Sequence, residues 1–281
     1  MITVTSATGN IGRTLVDLLA EAGEEVVAVS RQPQAAHRLA GVRWVQADVG
    51  HAESMRPALT GARALFLLLG GELNSRGESP HALLDAATDA GVERVVLVSS
   101  QVSATRPEAP SHARLREFEA AVRASGRDFT ILRPGGFASN AFAWAETVRT
   151  KRTIFAPFGD VALPVVDPAD IAAVAAAVLR EDGHEGRTYE LTGPEPISPR
   201  GQAAAISAAL GEEVAFVELS REDAHAYMAQ FMPEDVVTGT LDVLGVPLPA
   251  EQKISPDVAA VLHRPAAPFS EWVARNLPAF Q

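Results

Sequence analysis

The sequence predicts an α/β fold: a doubly wound parallel sheet with helices on both faces and a smaller C-terminal cap. Three observations carry this. Short β-rich runs alternate with helical patterns as far as Leu191, a glycine-containing turn follows the first run at once, and the rhythm lapses over Gly135–Leu163 and again after Gly193. Alternation of this kind is the signature of parallel strands joined by crossover helices.

Taken in order, Ile2–Thr5 reads as a strand, followed by a helix from about Ile11 to Ala22 with Ile11, Leu15, Leu18, Leu19 and Ala22 as its sheet-facing stripe. Glu25–Val29 is the second strand, followed by a helix near Ala35–Leu39. Val42–Gln46 is the third strand, Ser54–Leu59 a short helix and Ala64–Leu69 the fourth strand. Ser79-Pro80 opens a helix that Gly91 ends, with proline at the first helical position. Val95–Ser99 is a buried strand, Ser111–Ser125 a helix closed by Gly126, and Phe129–Leu132 the sixth strand. Asp167-Pro168-Ala169-Asp170 begins an Ala/Val-rich helix, and Thr188–Leu191 is the seventh strand. The aspartates there read as an N-cap and an N3 acid, both structural. Ser255–Phe280 looks helical, with breaks at Pro265 and Pro268. The two irregular stretches hold many of the aromatics and are expected to cap the carboxyl ends of the strands, where such sheets bind ligands.

The chain has 281 residues, 47% of them apolar, a net charge of −11 and no cysteine. Disulfide and thiolate chemistry are therefore excluded. Without a basic face to neutralise phosphates, no direct nucleic-acid partner is expected. No apolar run approaches the roughly 20 residues that span a bilayer, and no basic region precedes Ile2, so no membrane partner or signal peptide is expected and the location is read as cytoplasmic. Lys151 and Lys253 are the only lysines.

The turn Ser6-Ala7-Thr8-Gly9-Asn10-Ile11-Gly12-Arg13 carries the chemistry. Gly9 lets backbone amides approach a pyrophosphate, Gly12 lets the helix pack closely on the strand, and the helix N-terminus offers free N–H groups and positive dipole. Ser6 stands where G-x-x-G-x-x-G has its first glycine, and its Cβ is expected to strain the turn. The reading is a Rossmann-type dinucleotide site; a glycine-rich turn that has lost its ligand is the alternative. The end of the second strand chooses the dinucleotide. An NAD site usually has an acid there, whereas this chain has Ser30-Arg31, and a guanidinium suits a 2′-phosphate. The predicted cofactor is NADP(H), with Arg13 as a second contact and Asp48 at the adenine edge. A solvated surface arginine and a simple loop aspartate are the competing readings. Residues 1–135, completed by about 166–192, are expected to form the NADP-binding domain, with 136–165 and 193–281 as the substrate-binding cap.

Ser6–Arg13, Val29-Ser30-Arg31, Val98-Ser99-Ser100 and Ile131-Leu132-Arg133-Pro134-Gly135, with Asp167–Leu179 and Gly183–Gly193, together resemble the NmrA-like family of atypical short-chain dehydrogenase/reductases. They are most similar to its bacterial NAD(P)H:quinone reductase-like branch. The likeness runs through most of the chain and lies in the combination. It implies a Rossmann fold, NADP(H), and either a reductase or a redox-sensing regulator. It also implies that Pro134 and Gly135 lie near the nicotinamide and that Leu69, Gly70, Ser99 and Ser100 border the cofactor.

The Tyr-x-x-x-Lys dyad of ordinary short-chain dehydrogenases is absent, because Tyr189 and Tyr227 are followed four residues later by Gly193 and Phe231. At the corresponding helix His112 takes the tyrosine position and Arg116 the lysine position. Arg116 stays protonated and cannot act as a base, though it can hold a ribose or phosphate. His112 can donate a proton, and Ser100 can hydrogen-bond a substrate carbonyl; an ordinary first-turn histidine and a strand-end serine are the plainer readings. Phe137, Asn140, Phe142 and Trp144 are read as an aromatic pocket wall with one polar handle, core packing being the alternative. His81 and Asp85 lack a third ligand and the other histidines are scattered, so no metal is expected. The main expectation is an NADPH-dependent reductase that transfers hydride directly to a quinone or other conjugated or aromatic carbonyl compound. The competing ones are a non-catalytic NADP(H) sensor that binds a regulator and an enzyme acting on a polyketide-like carbonyl. A homodimer or a regulatory protein partner stays open.

Overall fold

A computed structural model describes residues 1–32, 39–70 and 77–281. The expected helix near Ala35–Leu39 falls almost wholly outside them. The elements run β1 (Ile2–Val4), α1 (Asn10–Glu21), β2 (Val26–Ser30), β3 (Val42–Gln46), α2 (Ala52–Leu59), β4 (Ala64–Leu68), α3 (Pro80–Asp89), β5 (Arg94–Val98), α4 (Val102–Thr105), α5 (Ala113–Ala124) and β6 (Asp128–Pro134). There follow α6 (Ala145–Lys151), β7 (Thr153–Pro157), α7 (Pro168–Arg180), β8 (Arg187–Leu191), α8 (Pro199–Leu210), β9 (Ala215–Leu219), α9 (Arg221–Met228), α10 (Glu234–Gly245), α11 (Asp257–Leu262) and α12 (Phe269–Asn276).

Seven strands form one sheet in the order β3-β2-β1-β4-β5-β6-β8, which is the doubly wound Rossmann-type topology. The chain winds outward from β1 to β3 and then returns to place β4 beside β1, with Ile2 level with both Val26 and Ala64. Strand order reverses there, and a crevice opens at the carboxyl ends of β1 and β4. Side chains of a strand alternate between faces. Val27, Val29, Leu65, Leu67, Val95, Leu97 and Ile131 point to one face and pack with Met55 and Leu59 of α2, Leu83 and Leu84 of α3, and Phe118 and Val122 of α5. The alternate set, including Ile2, Val4, Ala28, Phe66, Val96 and Leu132, is buried too. Coverage of both faces explains why β4 and β5 read as continuous apolar runs.

Two helix boundaries differ from the sequence expectation. Ala22 is exposed rather than part of the α1 stripe, because α1 ends at Glu21 and Gly23, at φ +80°, turns the chain away. Gly12 and Val16 join Ile11, Leu15 and Leu19 on the buried side. The helix expected from Ser111 begins at Ala113, after a 3-10 turn over Pro110–His112. His112, at φ −117° and ψ 8°, closes that turn and stands at the N-cap of α5, outside the α-helix.

The chain divides into two compact units. The first comprises Met1–Ser103, His112–Pro134 and Ala169–Glu190, and the second Ala104–Ser111, Gly135–Pro168 and Leu191–Gln281. Ala104–Ser111, which the sequence groups with the sheet, belongs to the second unit for an electrostatic reason. Glu251, 2% exposed, accepts from Arg106 Nε at 2.7 Å and Nη2 at 2.9 Å, from Thr105 Oγ1 at 2.8 Å and from the Leu248 amide at 2.8 Å. The second unit also holds a parallel pair, β7 with β9, in register from Thr153 and Ala215 to Pro157 and Leu219. Each of these strands is short and partly exposed, so neither stands out in the sequence. Its core is aromatic, with Phe269, Trp272 and Phe280 packed with Val148, Ile154 and Ile206. At Gly193 a Cβ would lie 2.2 Å from the Val165 carbonyl oxygen, so only glycine lets these two segments cross. Among the described residues no helix is long and apolar enough to cross a membrane.

Burial by itself would raise the Glu251 carboxyl, but Arg106, the Leu248 amide and Thr105 hold it below its usual range. Removing one partner of a buried pair leaves the other uncompensated, so Glu251→Gln is expected to cost about 3 kcal/mol. Because the folded-state carboxyl is depressed, its stabilisation is complete above the ordinary glutamate value and disappears as pH falls through the folded one. Thermal melts of wild type and variant should therefore differ at neutral pH and converge in acid.

Candidate functional site

The turn after β1 is set by a network around Thr5 and Ser6. Thr5 is buried; its hydroxyl lies 3.1 Å from the Phe66 carbonyl oxygen and accepts from the Leu68 amide at 2.9 Å, so β1 and β4 stay joined past their last paired residues. Ser6 adopts φ +50°, the left-handed region that a glycine would enter without strain. For serine this costs on the order of 1 kcal/mol. The Ser6 hydroxyl donates to the Leu68 carbonyl at 3.0 Å, and the Ser6 carbonyl accepts from the Gly9 amide at 2.9 Å, which offset that strain. Strain at Ser6 is thus present, and β4 supplies the compensation. A Cβ on Gly12 would sit 2.2 Å from the Ser6 carbonyl oxygen, and one on Gly9 at 3.3 Å from the same atom. Gly12 is therefore obligatory, and the first turn of α1 rests directly on the strand end.

Thr8, Gly9 and Asn10 lead into α1, whose N-cap is Gly9, with Ile11 and Gly12 buried and Arg13 exposed. The first amides of a helix have no intrahelical acceptor, so this end offers N–H groups and positive dipole to an anion. A diphosphate fits a cradle of this kind, in which a Cβ on Gly12 would strike the Ser6 carbonyl. Thr8 Oγ1 lies 3.4 Å from Ser30 Oγ, linking the turn to the end of β2, and Ser30 accepts from the Gln32 amide at 3.2 Å. Arg31 follows, exposed and without an ion pair among the described residues. Asp48 has one carboxylate oxygen engaged by the Gly50 amide at 2.9 Å, and its own amide donates to Ser54 at 2.9 Å. That is a loop role, and it leaves the second carboxylate oxygen as the one that can face a ligand.

Further along the strand ends, Leu69 is buried and Gly70 exposed, 3.6 Å separating a Gly70 Cβ from Ser6 Oγ. Past β5 and β6 the ladder continues, as the Ser99 amide donates to Leu132 at 2.7 Å and the Gln101 amide to Pro134 at 2.9 Å. Ser99 is buried; Ser100 is half-buried and its hydroxyl accepts from the Val102 amide at 3.2 Å. Gly135, in the second unit, donates its amide to Leu191 at 2.9 Å.

His112 is half-buried, and Arg116 follows one helical turn later. Burial, and then the charge of Arg116, push the His112 imidazole below its ordinary value. His112 is therefore neutral at pH 7, and its imidazolium form is available only under more acidic conditions. Of the two tyrosines, Tyr189 shares a 2.8 Å hydrogen bond with His184 Nδ1 and Tyr227 is 55% exposed on α9.

The four residues read as one pocket wall lie on a 3-10 helix over Ala138–Trp144 and its N-cap, Phe137. With three residues per turn, Phe137 and Asn140 share a ridge, which Phe142 and Trp144 do not. Asn140 is exposed and Phe137 half-buried. Phe142 meets Trp272 edge-on at 4.9 Å and stacks on Phe280 at 6.2 Å, and Trp144 packs on the same core. The helical geometry thus splits the set, and Phe142 and Trp144 serve the aromatic core.

Sequence reasoning passed over Glu119 and Arg133. Glu119 is 5% exposed and accepts from Arg133 Nε at 2.9 Å and Nη2 at 2.6 Å. The signal was available, because an arginine inside the otherwise buried run Phe129–Leu132 and Pro134 requires a partner.

Residues 6–182 match the family described as NAD(P)H-binding. The chain is 37% identical over 283 residues to a (4-alkanoyl-5-oxo-2,5-dihydrofuran-3-yl)methyl phosphate reductase of Streptomyces griseus, covering 100% of this chain and 99% of that protein. The structure superimposes on an Escherichia coli NADPH-dependent quinone oxidoreductase, QOR2, solved with NADPH, at a TM-score of 0.83 and 28% identity, over 99% of this chain and 100% of that one. NmrA, described as a negative transcriptional regulator, gives 0.76 at 20% identity over 99% and 95%, a likeness of fold alone. The chain belongs to the NAD(P)H-binding family, on an NmrA-like Rossmann fold, and is an NAD(P)H-dependent oxidoreductase.

Proposed function

We propose that this protein is an NADPH-dependent reductase whose acceptor is a quinone or another conjugated carbonyl compound. The observation that carries the cofactor choice is Arg31 at the end of β2, exposed, with no acid beside it there and next to a serine that is tied to the phosphate turn. A guanidinium there binds a 2′-phosphate with charge-assisted hydrogen bonds, which an acid would repel. The substrate class is supported by the relatives. One is named for a quinone, and the other for an unsaturated lactone bearing an alkanoyl group, so both names describe a double bond conjugated with a carbonyl.

In this reading Gly9, Gly12 and the first amides of α1 hold the diphosphate, Arg31 and Arg13 the 2′-phosphate, and Asp48 the adenine edge. Leu69, Gly70, Ser99, Pro134 and Gly135 border the remainder, and Arg116 holds ribose or phosphate. Phe137 and Asn140 are the residues of the 3-10 ridge left to meet substrate. The reduced nicotinamide supplies hydride to the acceptor, and the protein supplies orientation. Without a Tyr-x-x-x-Lys dyad, the oxygen that gains charge takes its proton from water at neutral pH and from His112 imidazolium in acid, with Ser100 as a hydrogen-bond partner.

Purified protein should oxidise NADPH in the presence of quinones or unsaturated acyl lactones; no turnover above background across both panels would overturn the substrate class. Arg31→Asp should weaken NADPH binding roughly ten- to a hundredfold, as expected for losing a charged hydrogen bond, and leave NADH within about twofold. Equal effects on both cofactors in titration calorimetry would reduce Arg31 to a surface residue. His112→Gln should leave kcat at pH 7.5 within about threefold and remove the rise in rate that wild type shows as pH drops below the ordinary histidine value. A pH–rate profile of the two proteins decides this.

A further inference from the structure

The β5 and β6 carboxyl ends are joined by more than their ladder. Glu119, on the buried side of α5, receives the Arg133 fork with both carboxylate oxygens, at 2.9 and 2.6 Å, and Arg123 Nη1 at 3.1 Å. The Ser99 hydroxyl, which donates to Ser103 Oγ at 3.2 Å, also lies against this carboxylate. One buried anion therefore holds β6 at Arg133 and lies against the continuation of β5 at Ser99. Arg133 immediately precedes Pro134 and Gly135, the positions assigned to the nicotinamide, and Ser99 is itself assigned to the cofactor's border.

A carboxylate inside a sheet–helix layer is costly unless fully paired, and this one is paired on both oxygens. A bidentate arginine–carboxylate pair fixes direction as well as distance. The adenine half of the site, from Ser6 to Arg31, is built from β1, α1 and β2 and makes none of these bonds. Loss of the anion would therefore disturb one half of the cofactor site and spare the other.

We infer that Glu119 is a positioning residue, which sets the spacing of the β5 and β6 ends and so seats the nicotinamide half of the cofactor. This rests on the cofactor reading above and adds a residue to it. Burial opposes ionisation of Glu119, but Arg133, Ser99 and Arg123 keep it below the usual carboxylate range, so it is an anion at working pH and takes no part in proton transfer.

The experiment compares NADPH with adenosine 2′,5′-bisphosphate, which carries only the adenine end, by titration calorimetry on wild type, Glu119→Gln and Arg133→Lys. Misplacing a binding surface by a fraction of an ångström is felt strongly, so Glu119→Gln should weaken NADPH about tenfold and lower kcat, with the fragment within about twofold. Arg133→Lys keeps the charge but not the fork and should shift NADPH in the same direction by about threefold. It carries the test if Glu119→Gln does not fold. Equal weakening of both ligands, or unchanged NADPH affinity in the folded variants, overturns the assignment. Wild type that binds NADPH but not the fragment would overturn the adenine-half reading instead, and wild type that binds neither removes the cofactor reading and this assignment together.

Discussion

The first unit depends on one close approach, the contact between the Ser6 carbonyl and Gly12 at the start of α1. No side chain fits there, since a Cβ would come within 2.2 Å of that oxygen. The contact sets the direction of α1 and aims its unpaired amides at the crevice where strand order reverses. It also requires Ser6 to hold a left-handed backbone, which the hydroxyl bond to Leu68 and the Gly9 amide help to sustain. The turn is thus locked to β4 as firmly as to its own strand. A serine at this position is tolerated because its hydroxyl finds an acceptor that an alanine could not use.

Charge is distributed according to what each site has to do. Arg31 and Arg13 are exposed in a chain whose net charge is −11, and in the function proposed above they meet the cofactor's 2′-phosphate. Arg133 and Arg106 are turned inward, each forked onto a buried glutamate, and hold segments in place rather than ligands. The same residue type does opposite work because burial decides whether its partner is supplied by the protein or by a ligand. His112 follows the same logic, as burial beside Arg116 lowers its hold on a proton.

The second unit shows how helix type redistributes side chains. In the 3-10 turn Phe137 and Asn140 share one ridge, apart from Phe142, which packs on Trp272 and Phe280. Backbone pitch thus commits Phe142 to the aromatic core and leaves Asn140 exposed.

Much of the first unit was legible from residue order. Alternating runs located the sheet strands to within a residue or two for most of them, because a sheet buried on both faces demands continuous apolar strands and glycine turns between them. The turn Ser6–Arg13 and Arg31 were legible for a similar reason, since their chemistry depends on near neighbours along the chain. What the sequence by itself determined was the sheet, the glycine turn after β1 and the absence of a Tyr-x-x-x-Lys dyad. Only tertiary structure decided that Glu119 meets Arg133 and Ser99, that β7 pairs with β9, and that Ala104–Ser111 is held by Glu251. Those partners are separated by 14 or more residues along the chain. Periodicity reports which face of an element is apolar, whereas a buried charge finds its partner across elements, and that pairing exists only once the chain has folded.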